Sequence, residues 1–246
     1  MNYTPYLILA AFLFVALYFI FRKKKVNPVL LSKADVLLLE NNVEFYQNLN
    51  RENKVRFENK VAKFLSSIII KGVGFEVEQL DKLLVASSAV IPIFGFDDWE
   101  YKNLQNVLLY PATFNSDFEY EGGDRNIMGM VGTGFLNGQM VLSLESLRHG
   151  FSTSAGKGNT GIHEFVHLLD KSDGATDGVP ENFLKHEYAQ PWLKMMHEEM
   201  ERIADDKSDI NPYATTNQAE FFAVTAEYFF EKPELMKDKH PALYAK

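Results

Sequence analysis

Residues 163–167 read His163-Glu164-Phe165-Val166-His167, an H-E-x-x-H pentapeptide inside an apolar run that continues through Leu168-Leu169. A helix places residues i and i+4 on one face, one turn apart, so both imidazoles can reach a single metal ion. Glu164 lies roughly 100° around the same helix, near enough for its carboxylate to polarise a water on that ion. Two neutral nitrogen ligands, an open coordination position and a general base are the minimal apparatus for zinc-assisted hydrolysis.

A catalytic zinc takes three protein ligands, so a further one must come from elsewhere. Asp170 follows His167 by three residues, but no glycine breaks the helix between them, and Asp170 reads better as a carboxylate behind the ligands or at the helix end. The stretch Asn217 to Phe230 reads as a buried helix carrying Glu220 and Glu227, seven residues apart and close to one face. Buried carboxylates need a partner, and a metal with its histidines is a good one. Glu220 has a competing use, because Asn217 three residues before it makes a capping-box-like helix start. On spacing alone both Glu220 and Glu227 are candidates for the third ligand. His149, His186, His197 and His240 have no metal-ligand spacing and are expected at the surface.

The run H-E-F-x-H-x-x-D at 163–170, Asp177-Gly178-Val179-Pro180, Tyr213-Ala214, and Ala219-Glu220 through Phe222-Ala223-Val224 to Glu227-Tyr228-Phe229-Phe230 resembles the Mlc titration factor A family. The likeness runs from about Phe57 to the C-terminus and is dense between Gly161 and Pro233. The family consists of zinc peptidases of the gluzincin kind, with an active site similar to that of anthrax lethal factor. The resemblance implies a zincin-like fold with zinc held by His163, His167 and Glu220. It also implies Glu164 as general base, and Tyr213, seven residues before Glu220, as a stabiliser of the oxyanion. Glu227 then becomes a supporting carboxylate. The family also includes binding to a sugar-responsive transcriptional repressor, which implies a second role, a regulatory binding protein with hydrolysis secondary.

The N-terminus departs from that family. Tyr6 to Phe21 is sixteen residues without a charge, followed at once by Arg22-Lys23-Lys24-Lys25. As a helix it would span about 24 Å, slightly short of a ~30 Å hydrocarbon core, with Tyr3 and Thr4 able to extend it. Positive charge before the apolar run and a small-residue cleavage site after it are both missing, so an uncleaved anchor is expected rather than a signal peptide. The basic cluster follows the span, which places residues from about 22 onward in the cytoplasm, on an inner-membrane single-pass protein. The rest of the chain has no cysteine, so disulfides and a thiolate zinc site are excluded. A formal charge of −8 argues against nucleic acid as a partner, and the resemblance implies a peptide or protein substrate.

These signals predict residues 1–25 as anchor and basic flank and 26–246 as one α+β domain. Its helical N-terminal part covers about 29–91, with amphipathic helices over about 29–70 and another from about 78 that Pro92 stops. The catalytic part covers about 105–246 and opens with a buried strand from Asn106 to Tyr110. Asn137-Gly138 between Met128–Leu136 and Gln139–Leu144 is a strong hairpin signal, so a small, mainly antiparallel sheet flanked by helices is expected. The glycine-spaced strand of that hairpin could accept an extended peptide by strand addition, or its glycines could merely relieve crowding.

Overall fold

Ser32 and Asn50 each accept a backbone N–H from three residues further on, and these caps open the first helical layer. In the computed structural model, which describes residues 30–96, 99–120, 125–132, 137–183 and 186–245, that layer is α1 (Lys33–Asn42), α2 (Glu44–Gln47) and α3 (Arg51–Ser67). The apolar stretch Tyr6–Phe21 and the basic cluster after it lie outside the described residues. Among the described residues, no helix is long and apolar enough to cross a membrane.

After α3 the chain enters β1 (Ile69–Gly72), crosses through α4 (Gln79–Ile93) and returns as β2 (Asn106–Tyr110). β3 (Gly129–Val131) and β4 (Gln139–Ser143) complete a four-stranded sheet of order β1-β2-β4-β3. β1 pairs parallel with β2, and β2 parallel with β4; β3 alone is antiparallel, to β4. The expected α+β class holds, but the sheet is mixed and not mainly antiparallel. Two local readings caused the error. Ile69 and Ile70 continue the apolar pattern of α3, yet they leave the helix to pair with Asn106 and Val107. Asn137-Gly138 does not close a two-residue turn, because Val131 pairs with Met140 and the Gly132 N–H reaches Gln139 O. Gly138 has φ +84°, and its carbonyl accepts from the Gln105 and Asn106 N–H groups at 2.8 and 3.1 Å. That commitment seats β4 beside β2 in parallel.

α5 (Leu144–Gly150) follows β4 directly, capped by the Ser143 hydroxyl. α6 (Thr160–Asp170) carries the H-E-x-x-H motif; Asn159 caps its first turn by accepting from the Ile162 N–H at 3.1 Å. The helix approaches α4 closely enough that a Cβ at Gly161 would stand 2.2 Å from the Ser88 hydroxyl. Its apolar face is fixed by Phe165, fully buried, with the rings of Phe64 and Tyr101 at 5.7 and 5.1 Å. Burying one such ring contributes about 1.5–3 kcal/mol and holds the opposite, polar face of α6 toward the sheet edge. Beyond Asp170 a 3₁₀ turn, Lys171–Asp173, ends at Gly174 with φ +107°.

α7 (His186–Ala204) and a 3₁₀ turn, Pro212–Thr215, lead into α8 (Gln218–Glu231), and α9 (Pro233–Lys239) and α10 (Pro241–Tyr244) close the fold. Here the surface expectation for His240 is overturned: only 6% of it is exposed. Its Nε2 lies 2.7 Å from Asp209 and its Nδ1 3.1 Å from Glu199, so two carboxylates from separate segments clasp the ring. Spacing to other histidines, the signal used in the sequence, carries no information about such acid partners. His149 and His197 are exposed as expected.

Candidate metal centre

α6 and α8 cross so that three side chains converge. His163 Nε2 and His167 Nε2 are 3.0 Å apart, and Glu220 Oε2 stands 3.0 Å from the first and 3.5 Å from the second. Among the described residues this is the one group of three histidine or acidic side chains whose ligand atoms gather closely enough to hold a metal ion. Four ligands at ~2.05 Å in a tetrahedron would stand roughly 3.3 Å from one another, and the observed separations bracket that value. Three lone-pair donors facing one point fit a cation. The competing use of Glu220 is settled by geometry: Asn217 caps α8 with its own side chain, accepting from the Glu220 N–H at 2.9 Å. The Glu220 carboxylate is thereby free to point at the histidines.

Glu227 occupies a different place. One oxygen lies 2.7 Å from His163 Nδ1, on the side of the ring away from Glu220, and the other accepts the Asn159 backbone N–H. Asn159 in turn donates through Nδ2 to Glu231 at 2.8 Å. Glu220, Glu227 and Glu231 therefore form a stripe on α8 that grips α6 from the metal-facing histidine to the helix cap. Asn159 was not visible as a site residue in the sequence, where an asparagine before a helix reads only as a cap.

Charge follows the same geometry. Burial opposes an imidazolium at His163, but hydrogen bonds to Glu220 and Glu227 outweigh it and raise its pKa to about 10. Burial also raises Glu220, yet the two histidines override this and hold it at about 2. A nitrogen that ligates a metal must be unprotonated, so proton and metal would compete for His163 Nε2. Burial pushes Glu164 up, with the two imidazoles pulling against it. Asp170 is buried; it accepts the Gly178 N–H at 2.9 Å, and burial lifts its pKa to about 6. Its other oxygen and His167 Nδ1 are both buried without a protein partner, three residues apart on one helix. Asp170 is thus not gathered with the three converging side chains.

A cleft of about 480 Å³ opens over the cluster, lined by His163, Glu164, His167, Glu220, Tyr213 and the β3 edge. Tyr213 is 53% exposed, with its ring centroid 6.2 Å from that of His163, so its hydroxyl-bearing ring borders the same space. Gly129 of β3 packs directly on Glu164: a Cβ there would lie 2.5 Å from Glu164 Cγ. β4 accepts and donates through residues 128 and 132, with Ser143 N–H to Met128 O at 2.7 Å and Gly132 N–H to Gln139 O at 2.9 Å. By antiparallel alternation, Gly129 and Val131 turn their N–H and C=O groups away from β4, toward the open edge.

Comparison with known proteins finds relatives over most of the chain. A Mlc titration factor A from Escherichia fergusonii is 30% identical over 219 residues, covering 82% of this chain and 80% of its own. One from Escherichia coli is 31% identical over 187 residues, covering 70% and 68%. An uncharacterized protein from Synechocystis is 27% identical over 218 residues, covering 84% and 79%. The profile of the glucose-regulated metallo-peptidase M90 family matches residues 20–246, from the end of the apolar stretch through every residue of the cluster. The chain belongs to the glucose-regulated metallo-peptidase M90 family.

Proposed function

We propose that the chain is a zinc-dependent peptidase with His163, His167 and Glu220 as metal ligands and Glu164 as general base. The observation that carries this reading is the convergence of the three ligand atoms beside a buried Glu164 on one cleft. When bound, zinc supplies a Lewis acid that acidifies water and polarises a carbonyl. Glu164, wedged against Gly129, is positioned to take a proton from the attacking water and return it to the leaving amine. The Tyr213 hydroxyl can donate to the oxyanion as charge develops. Gly129 and Val131 offer an extended peptide two residues of strand pairing, which favours strand addition as the mode of substrate capture.

The name of these relatives, Mlc titration factor A, supports a second reading, a regulatory protein that sequesters a transcriptional repressor with hydrolysis secondary. For Tyr6–Phe21 we propose a membrane anchor with the catalytic domain on the cytoplasmic side; the order of apolar run and basic cluster supports it. Carbonate-resistant recovery in membranes is expected, and release to the supernatant would remove the anchor.

The test of function is hydrolysis of amino-acid and peptide amides by the zinc-loaded full chain beside Glu164→Gln. The variant is expected to keep its zinc and lose about 100-fold or more in rate. Zinc on both proteins with no hydrolysis by either would favour the binding role. No zinc on either would overturn the metal centre.

A further inference from the structure

A side pocket of about 180 Å³ adjoins the metal cleft, and the two share Val131 and Lys171 in their walls. Lys171 follows the metal helix at once, in the 3₁₀ turn, and is half-buried. Its ammonium has three donors. One reaches the Gly132 carbonyl at 3.2 Å, and among the described residues the group has no acidic partner. Removing an ammonium partly from water without a counter-charge is unfavourable.

The pocket's other charges reinforce this polarity. Lys102 lines it and stands exposed, whereas Glu100 at its rim is paired with Lys63. Gln139 and Asn182 add amide groups, and Trp99 and Leu168 supply apolar wall. In a chain of net charge −8, a pocket whose unpaired charges among the described residues are both positive is a local inversion.

The sheet edge fixes how far this pocket lies from the chemistry. Glu164 touches Gly129, and Val131, two residues along the same strand, borders the pocket. Two residues of strand span roughly 7 Å. A peptide paired along the edge with its scissile carbonyl beside Glu164 would present the side chain of a residue one or two positions away to Lys171.

We infer that this pocket is a specificity subsite for an acidic side chain, so that the preferred substrates are peptides carrying Asp or Glu within two residues of the scissile bond. This rests on the peptidase reading above and adds the substrate class. Lys171 supplies the charge, the pocket amides complete the carboxylate's hydrogen bonds, and Val131 sets the register.

The test measures binding without turnover. The full chain bearing Glu164→Gln is titrated with fluorescently labelled peptides that differ only by Asp, Asn or Lys. The variable residue is placed in turn at each of the two positions on either side of a fixed bond. At one position the Asp peptide is expected to bind about tenfold or more tightly than the Lys peptide, the scale of one well-formed, partly buried ion pair. Adding Lys171→Met should bring the two peptides within about twofold, and Lys171→Glu should invert their order, while zinc content stays unchanged. Equal binding of Asp and Lys peptides at every position would overturn the inference. So would a preference that survives both substitutions, or no binding of any peptide. Wild-type hydrolysis that Glu164→Gln abolishes would keep the peptidase reading intact even then, so the two failures are separable.

Discussion

Gly129→Ala tests the catalytic geometry through one methyl group. The added Cβ would stand 2.5 Å from Glu164 Cγ, 2.7 Å from Oε1 and 2.8 Å from Cδ. Carbon contacts settle at about 3.5–4.0 Å, so the Glu164 side chain must move by about 1 Å. Glu164 is only 7% exposed, and the nearest atom is mid-chain, not a free tip, so the shift needs a new rotamer. A displacement of that size in a reacting group costs about 100-fold in rate, or about 2.7 kcal/mol of barrier. Overpacking adds about 1–3 kcal/mol of destabilisation. The three nearest atoms all belong to Glu164 and none to His163, His167 or Glu220. The expected result is a kcat on a peptide amide lowered about 100-fold, with zinc stoichiometry equal to wild type. Gly95→Ala, where an added Cβ meets nothing within 4 Å, should leave the rate unchanged. A Gly129→Ala protein with wild-type kcat would show that the base does not depend on its seat against β3, or that Glu164 is not the base.

Two further substitutions probe the stripe on α8. Glu227 accepts from two obligate donors, the Asn159 N–H and the His163 Nδ1–H that leaves Nε2 free for metal, and glutamine has only one acceptor to offer. Glu227→Gln is therefore expected to weaken zinc binding about 10–100-fold in a chelator competition, and unchanged affinity would refute the role. Glu231 has its pKa raised from 4.5 to about 7, mainly by burial. The folded state thus favours the protonated form, so ionising Glu231 costs stability, a cost absent below pH 4.5 and complete above about pH 7. Glu231→Gln keeps an acceptor for Asn159 and should raise unfolding stability by about 1–2 kcal/mol at pH 8 and by little at pH 4, after discounting for partial exposure. Equal gains in denaturant titrations at the two pH values would contradict this.

What the sequence disclosed follows from how local each feature is. The two histidines and Glu164 share one helical turn, so the i, i+4 rule sufficed to place them on one face. Glu220 required knowing that α8 crosses α6, and the rival capping use could only be dismissed once Asn217 was seen to cap the helix alone. The strand at Ile69–Gly72 was hidden because an apolar triplet after an amphipathic helix carries no mark of its distant partner. The β3–β4 register depended likewise on the bond from β2 to Gly138, which no turn propensity encodes. His240 illustrates the same blindness: its burial arises from Glu199 and Asp209, 41 and 31 residues away in sequence.

The open edge of β3 sets a limit on how firmly any chain can be held there. Gly129 and Val131 offer at most two N–H and two C=O groups, and each bond contributes about 0.5–1.5 kcal/mol net. The sum, roughly 2–6 kcal/mol before the entropy of capture is charged against it, is a loose grip. It is also too short a template for a second sheet to grow on, which spares the protein the aggregation hazard of a long exposed strand. A main chain held so loosely leaves again readily, so discrimination falls to side chains and release of product need not wait on the strand.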